Sequence, residues 1–253
     1  MNIAIITLDS LRYDTAMLAK TPNFDRIFDR LNISDWQKVG SHGTYTLPSH
    51  IALFQAGHLP CNNNPEIEGP YNKDKMRLFK TGLYWNKPIE VLYPTPPECN
   101  VVKGFSKMGY RTIGIGGVHW FNINYPTSSF WGEMFFDEFY WDESMGERDC
   151  SAFENQIILT EKLLSNHSGD LFYFVNVPST HVPFMNFGDS IEGQAKCLEY
   201  VDSHINTLLD LLPKPCHVVI FSDHGECFGE DGLRGHSFYH PKVMEVPMVS
   251  FII

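Results

Sequence analysis

The sequence predicts an α/β protein built on a central, mostly parallel sheet flanked by helices on both faces. Two observations carry that expectation. The apolar runs "NIAIITL" (2–8) and "LFYFVNV" (171–177) suit strands buried on both faces. Between such runs lie segments with apolar residues three and four apart, so strands and helices alternate.

Residues 2–8 form the first strand. "TPNFDRIFDRL" (21–31) places Phe24, Ile27, Phe28 and Leu31 at helical spacing. Residues 48–56 read as a second helix, with Pro48 tolerated in its first turn. Residues 61–95, rich in Asn, Pro, Gly and Lys, read as a long excursion. "PPECNVVKGFSKMG" (96–109) reads as a helix closed by Gly109, and "RTIGIGG" (111–117) as a strand ending in glycines. Residues 120–148 form a second excursion and hold an aromatic cluster from Trp120 to Trp141, which suits either core or a pocket wall. A helix follows Asp149, a candidate N-cap, to about residue 165. After the strand at 171–177 come a helix at 195–212 and strands at 217–222 and 247–253.

The 253 residues fit one catalytic domain, 1–253, with ample core. The net charge of −11, with no Lys/Arg stripe, argues against a nucleic-acid partner. It does not exclude an anionic substrate, because a metal can supply local positive charge. "MNIAIITLDS" lacks a basic n-region, and no apolar run reaches transmembrane length, so a cytoplasmic protein is expected. The six scattered cysteines, without CxxC pairs, read as free thiols.

Chemistry gathers where the strands end. The strand at 2–8 runs into Asp9, that at 111–117 into His119, that at 171–177 into His181, and that at 217–222 into Asp223 and His224. Alone, each is ordinary: an Asp after a strand caps a helix, and a His is a wall residue. Their coincidence at one sheet edge, where α/β proteins bind ligands, points to a site. Carboxylate and imidazole together suit Zn²⁺ or Mn²⁺, while Ca²⁺ and Mg²⁺ prefer oxygen alone. Asp9, Asp223 and His224 make three ligands, with a fourth position open to Thr46 or a substrate. Thr46, in "GTYTLPSH", is either a helix cap or a nucleophile that such a metal would activate.

The sequence resembles the sulfatase-like enzymes of the alkaline phosphatase superfamily. "ITLDSLRYD", "TPNFDRI", "TYTLPSHIALFQAGHLP", "GYRTIGIGGVHW", "FFDEFYW", "STHVPF", "YVDSHINTLLDLL" and "FSDHGECFGEDGLRGHSFYHPKVMEVPM" resemble segments of that family and span nearly the whole chain. The resemblance implies an alkaline-phosphatase-like fold whose usual C-terminal part is absent here. It implies metal at Asp9, Asp223 and His224, with Thr46 as nucleophile and ligand. It also implies that His181, His119 and His236 act on the substrate or its leaving group. His50 and His240 become candidate substrate contacts, His50 standing where sulfatases carry Arg.

The departures from the family are informative. Ser10 replaces the second acid of the usual pair, which favours one tightly bound ion over two. Gly117 replaces a Lys before His119. Thr46 cannot become formylglycine, a modification that starts from Cys or Ser. These features favour a phosphate or phosphonate mono- or diester, either a small molecule or a headgroup, opened through a Thr46 alkoxide and a phospho-threonine. Two alternatives stay open: a sulfatase that does not use formylglycine, and an idle accessory protein on the same scaffold.

Overall fold

The computed structural model describes residues 1–55, 100–125, 128–129 and 131–253. Their centre is a seven-stranded sheet in the order β2-β9-β6-β1-β5-β3-β4. Five neighbours in that order run parallel: β6 (Cys216–Phe221), β1 (Asn2–Leu8), β5 (Leu171–Val177), β3 (Arg111–Ile115) and β4 (Glu138–Tyr140). Antiparallel pairing enters at one edge, where β9 (Glu245–Ile252) joins β6 and β2 (Gln37–Gly40) joins β9. The expected α/β class therefore holds.

Alternation along the strands builds two cores. Ala4, Ile6 and Leu8 of β1, with Tyr173 and Val175 of β5, face α1 (Tyr13–Leu18), α2 (Pro22–Leu31), α5 (Ala152–Leu164) and α6 (Ile191–Leu211). Phe172 and Phe174 of β5 point the other way, into a layer with α3 (Thr46–Gln55), α4 (Val101–Lys107) and the aromatic segment. Trp131, Phe135, Phe136 and Phe139 are buried in that layer, so much of the aromatic cluster is core. Trp131, Phe135, Phe136 and Phe174 pack tilted or edge-on against Phe54 at centroid distances of 5.0–6.1 Å, as aromatic packing prefers.

Several boundaries differ from the sequence reading. Helix α3 begins at Thr46, two residues early, and α6 begins at Ile191 because Ser190 caps it, accepting from the Gly193 N–H. Asp149 is not the cap of α5, which starts at Ala152; its carboxylate accepts from the Ser151 N–H instead. The short strands β2 and β4 lack an apolar run long enough to announce them. The excursion at 61–95 lies outside the described residues.

Helix α2 shows how a buried acid can serve structure alone. Its N-cap Thr21 makes no side-chain cap bond. Asp202 of α6 accepts from the Asn23 and Phe24 N–H groups instead, so one helix caps another. A two-stranded ribbon, β7 (Cys227–Phe228) with β8 (Arg234–Gly235), follows β6, and the short α7 (Pro241–Met244) leads into β9.

Candidate active site

Strands β6, β1, β5 and β3 are neighbours, and their carboxyl ends lie along one edge. Thr7 is level with Phe221 in the β1–β6 register, so two residues further on Asp9 comes beside Asp223. Between them Ser10 adopts the left-handed region at φ 61°, a conformation that costs a non-glycine residue energy. The turn aims the Ser10 N–H at Asp223 Oδ1, 3.2 Å away, and the Ser10 hydroxyl reaches Asp9 Oδ1 at 3.4 Å. Ser10 thus supports both neighbouring carboxylates.

Thr46 opens α3 with its hydroxyl turned into this cleft, 3.4 Å from Asp9 Oδ2 and 3.4 Å from His224 Nε2. The His224 Nδ1–H donates to the Gly225 carbonyl at 2.9 Å. That bond selects the tautomer whose Nε2 lone pair faces Asp9 Oδ1 at 3.7 Å and Asp223 Oδ2 at 3.6 Å. Asp9, Asp223, His224 and Thr46 are all buried.

The electrostatics call for a cation. Burial pushes the Asp9 carboxyl up, with the positive field of His181 and the Asn176 amide partly opposing it. Burial, then the Asp9 charge, pushes Asp223 well above its usual range. Burial, then the His236 charge, holds His224 well below its usual value and so neutral. Asp223 Oδ2 is buried without a hydrogen-bond partner. One ligand atom from each of Asp9, Asp223 and His224 lies within 4.8 Å of the others. A tetrahedral zinc with bonds of about 2 Å spaces its ligand atoms about 3.3 Å apart, close to the separations of 3.4–3.7 Å around Thr46 and His224. The residues present fit a divalent ion.

A second polar layer lies directly behind. Asn176 is the next residue of β5 on the same face as Phe172 and Phe174. Its amide donates to Asp9 Oδ2 at 2.9 Å and to the Thr7 hydroxyl at 3.0 Å. The Thr7 hydroxyl meets His50 Nε2 at 3.0 Å, and His50 Nδ1 donates to the Thr46 carbonyl at 2.8 Å. This corrects the expectation that His50 contacts substrate. Both its nitrogens are engaged inside the protein, and burial lowers it to about 4, so it is neutral scaffold. A side chain at Gly117 would collide with the Asn176 backbone, so the family's Lys has no room here.

At the rim the rings of His224, His236 and His181 stand in a row, with centroids 4.5 Å and 5.5 Å apart. His181 Nδ1 donates to the Val182 carbonyl at 2.7 Å. His236 Nδ1 bonds Glu226 Oε2 at 2.9 Å. Burial opposes a charge on His236, but the Glu226 bond and charge outweigh it and raise the imidazole above its usual value.

Two other candidates lie apart from this group. His119 is exposed, its ring packed against Tyr125 at 4.8 Å and Trp141 at 6.0 Å. His240 caps α7, accepting from the Lys242 N–H, and its Nε2 meets Asp231 at 3.3 Å.

Sequence reading passed over three residues here. Asn176 was signalled as the one amide in an apolar strand. Glu226 was hidden inside "SDHGE". Arg12, buried, clamps the segment after β1 to the ribbon through Asp14 and Glu230 at 2.6–2.8 Å.

Comparison with known proteins places the chain in a family and matches its fold. The family model described as Sulfatase matches residues 81–251. No curated protein matches the chain. Among solved structures, the C-terminal periplasmic domain of the phosphoethanolamine transferase EptC from Campylobacter jejuni matches with a TM-score of 0.62 and 15% identity, over 99% of this chain and 78% of that one. The soluble domain of lipooligosaccharide phosphoethanolamine transferase A from Neisseria meningitidis matches at 0.64 and 14%, over 99% and 75%. The C-terminal periplasmic domain of EcEptC from Escherichia coli, in complex with Zn, matches at 0.58 and 14%, over 99% and 72%.

These likenesses overturn the expectation of a cytoplasmic protein, since two of the three structures are periplasmic domains. Among the described residues no helix is long and apolar enough to cross a membrane.

Proposed function

The chain belongs to the sulfatase family, within the alkaline phosphatase superfamily, and from that membership we propose that it is a metal-dependent enzyme that transfers or hydrolyses phosphate or phosphonate esters through Thr46. One observation carries the reading. The Thr46 hydroxyl sits 3.4 Å from both Asp9 and His224, beside a buried Asp223 oxygen that has no hydrogen-bond partner among the described residues.

Asp9, Asp223 and His224 hold the ion, and Zn²⁺ or Mn²⁺ suits their mixed oxygen and nitrogen donors. The zinc complex of the E. coli domain supports the first choice. Bound there, a divalent ion makes a neighbouring hydroxyl more acidic and neutralises ester oxygens. Thr46 Oγ1 forms the new bond to phosphorus as the bond to the leaving alcohol breaks. His236 and His181 face the departing side and protonate the alkoxide. Water or an acceptor alcohol then attacks the phospho-threonine and frees Thr46. The hydrogen bonds of His50 and Asn176 keep the Thr46 backbone and the Asp9 carboxylate in place through both halves.

Phosphoethanolamine transferases among the similar structures favour a headgroup ester and a location outside the cytoplasm. The test combines metal analysis with a panel of aryl phosphate monoester, diester, phosphonate and sulfate, and with a phosphoethanolamine lipid as donor. The expected result is bound divalent metal, turnover of phosphorus esters above sulfate, and a phosphorylated Thr46 trapped by acid quench. Preferred sulfate turnover, or no metal with no adduct, would overturn the reading.

A further inference from the structure

The ribbon formed by β7 and β8 has no evident part in the sheet. Its register pairs Cys227 with Gly235 and Phe228 with Arg234. One step further toward the open end, the same register sets Glu226 opposite His236. Their side chains meet there, Glu226 Oε2 bonding His236 Nδ1 at 2.9 Å. The Glu226 side chain is only 4% exposed.

The surroundings favour this single arrangement. Gly235 adopts φ 87°, a conformation that side-chain-bearing residues rarely take, so glycine supplies the backbone that carries the pair. On the far side of His236, the Ser237 N–H donates to the Thr44 carbonyl at 2.7 Å, tying the ribbon to the loop that leads into Thr46. With Nδ1 engaged by Glu226, the opposite nitrogen of the ring points away from that bond, and the ring itself packs between those of His224 and His181.

From this geometry we infer that Glu226 is the positioning residue of His236: the ribbon holds the carboxylate so that one tautomer and one orientation of the imidazole are presented to the ester. Glu226 touches neither substrate nor metal and acts through His236. The kinetic part of the inference rests on the proposed ester chemistry; the orientation of the ring does not.

The test uses the metal-loaded full chain with ¹⁵N-labelled histidine. Wild-type protein should show a protected, hydrogen-bonded Nδ1–H for His236. Glu226→Ala should lose it, and Glu226→Gln, which keeps an acceptor oxygen, should retain it. On an aryl phosphodiester, Glu226→Ala should lower kcat/KM about tenfold to a hundredfold, the usual range for an outer partner of an active-site His. Glu226→Gln should recover part of that loss. In a His236→Ala background, Glu226→Ala should cost nothing further. Equal losses in both backgrounds, or an Nδ1–H that survives Glu226→Ala, would overturn the inference. Should Glu226→Ala fail to fold, Glu226→Gln compared in the two backgrounds decides the kinetic question. If wild-type protein turns over no ester, the proposed function falls, while the NMR comparison still decides the positioning.

Discussion

Two buried polar layers lie back to back at the end of this sheet. The rear layer, Asn176, Thr7 and His50, is joined by bonds of 2.8–3.0 Å and ends on the Thr46 carbonyl. The front layer, Asp9, Asp223, His224 and the Thr46 hydroxyl, is held at 3.4–3.7 Å and leaves Asp223 Oδ2 without a partner. Both are buried, and each holds a histidine and a threonine hydroxyl, but the front has two carboxylates where the rear has an amide. What also differs is satisfaction. A complete network is scaffold, because every polar group has exchanged water for protein. An incomplete one, built around two buried carboxylates, is where something else must bind.

His50 and His224 make the contrast within one residue type. Each lies 3.6 Å from Asp223 Oδ2. His50 spends both nitrogens on protein atoms, whereas His224 spends one on the Gly225 carbonyl and turns the other toward the cleft.

The contrast can be broken most sharply at Thr46, which belongs to both layers. Thr46→Ala removes the front hydroxyl and keeps the rear carbonyl. Turnover of an aryl phosphodiester should fall about a thousandfold or more, about 4 kcal/mol of transition-state stabilisation. Its thermal stability should change little. His50→Ala strikes the rear layer alone. It leaves the buried Thr7 hydroxyl without its imidazole partner and opens a space among Phe54, Phe121 and Phe174, so denaturant unfolding should show a loss of about 3 kcal/mol.

The front layer should respond in the opposite sense once metal is removed. In chelated protein Asp223→Asn relieves a buried charge, and the melting temperature should rise by about 2–4 °C although activity is lost. Acidification should act likewise. The folded carboxyls of Asp9 and Asp223 stand above the ordinary value of 3.8, so the folded chain binds more protons than the unfolded one above that pH. Stability of the chelated protein should therefore fall as pH rises from about 4 through the raised folded values. Loading the metal should flatten that dependence, which melts at stepped pH with and without chelator would show. The smallest effect belongs to a histidine outside both layers. His240→Ala removes the cap of α7 and should cost about 1 kcal/mol, with turnover within about twofold of wild type.

Much of this was legible along the chain. The apolar runs at 2–8 and 171–177 became β1 and β5, because a strand buried on both faces has to be apolar nearly throughout. Asp9, Asp223 and His224 could be named because strand ends are local features, and parallel strands bring such ends to one edge. Short strands without an apolar period, β2 and β4, could not be seen in this way. The helix boundaries moved by a few residues wherever a cap, as at Ser190, came from outside the apolar pattern.

The amino-acid sequence by itself therefore determined the layered α/β class, the edge on which the site lies and the residue types that meet there, since periodicity and strand ends are properties of neighbours in sequence. Tertiary structure alone decided which histidine serves which layer. Along the chain His224 is marked by its strand end, but nothing local shows which ring nitrogens of His50, His236 and His240 are already engaged. Their roles depend on the partner of the second ring nitrogen: for His50 it is Thr7 of β1, met where α3 packs on the sheet, and for His236 it is Glu226, set opposite it by the ribbon.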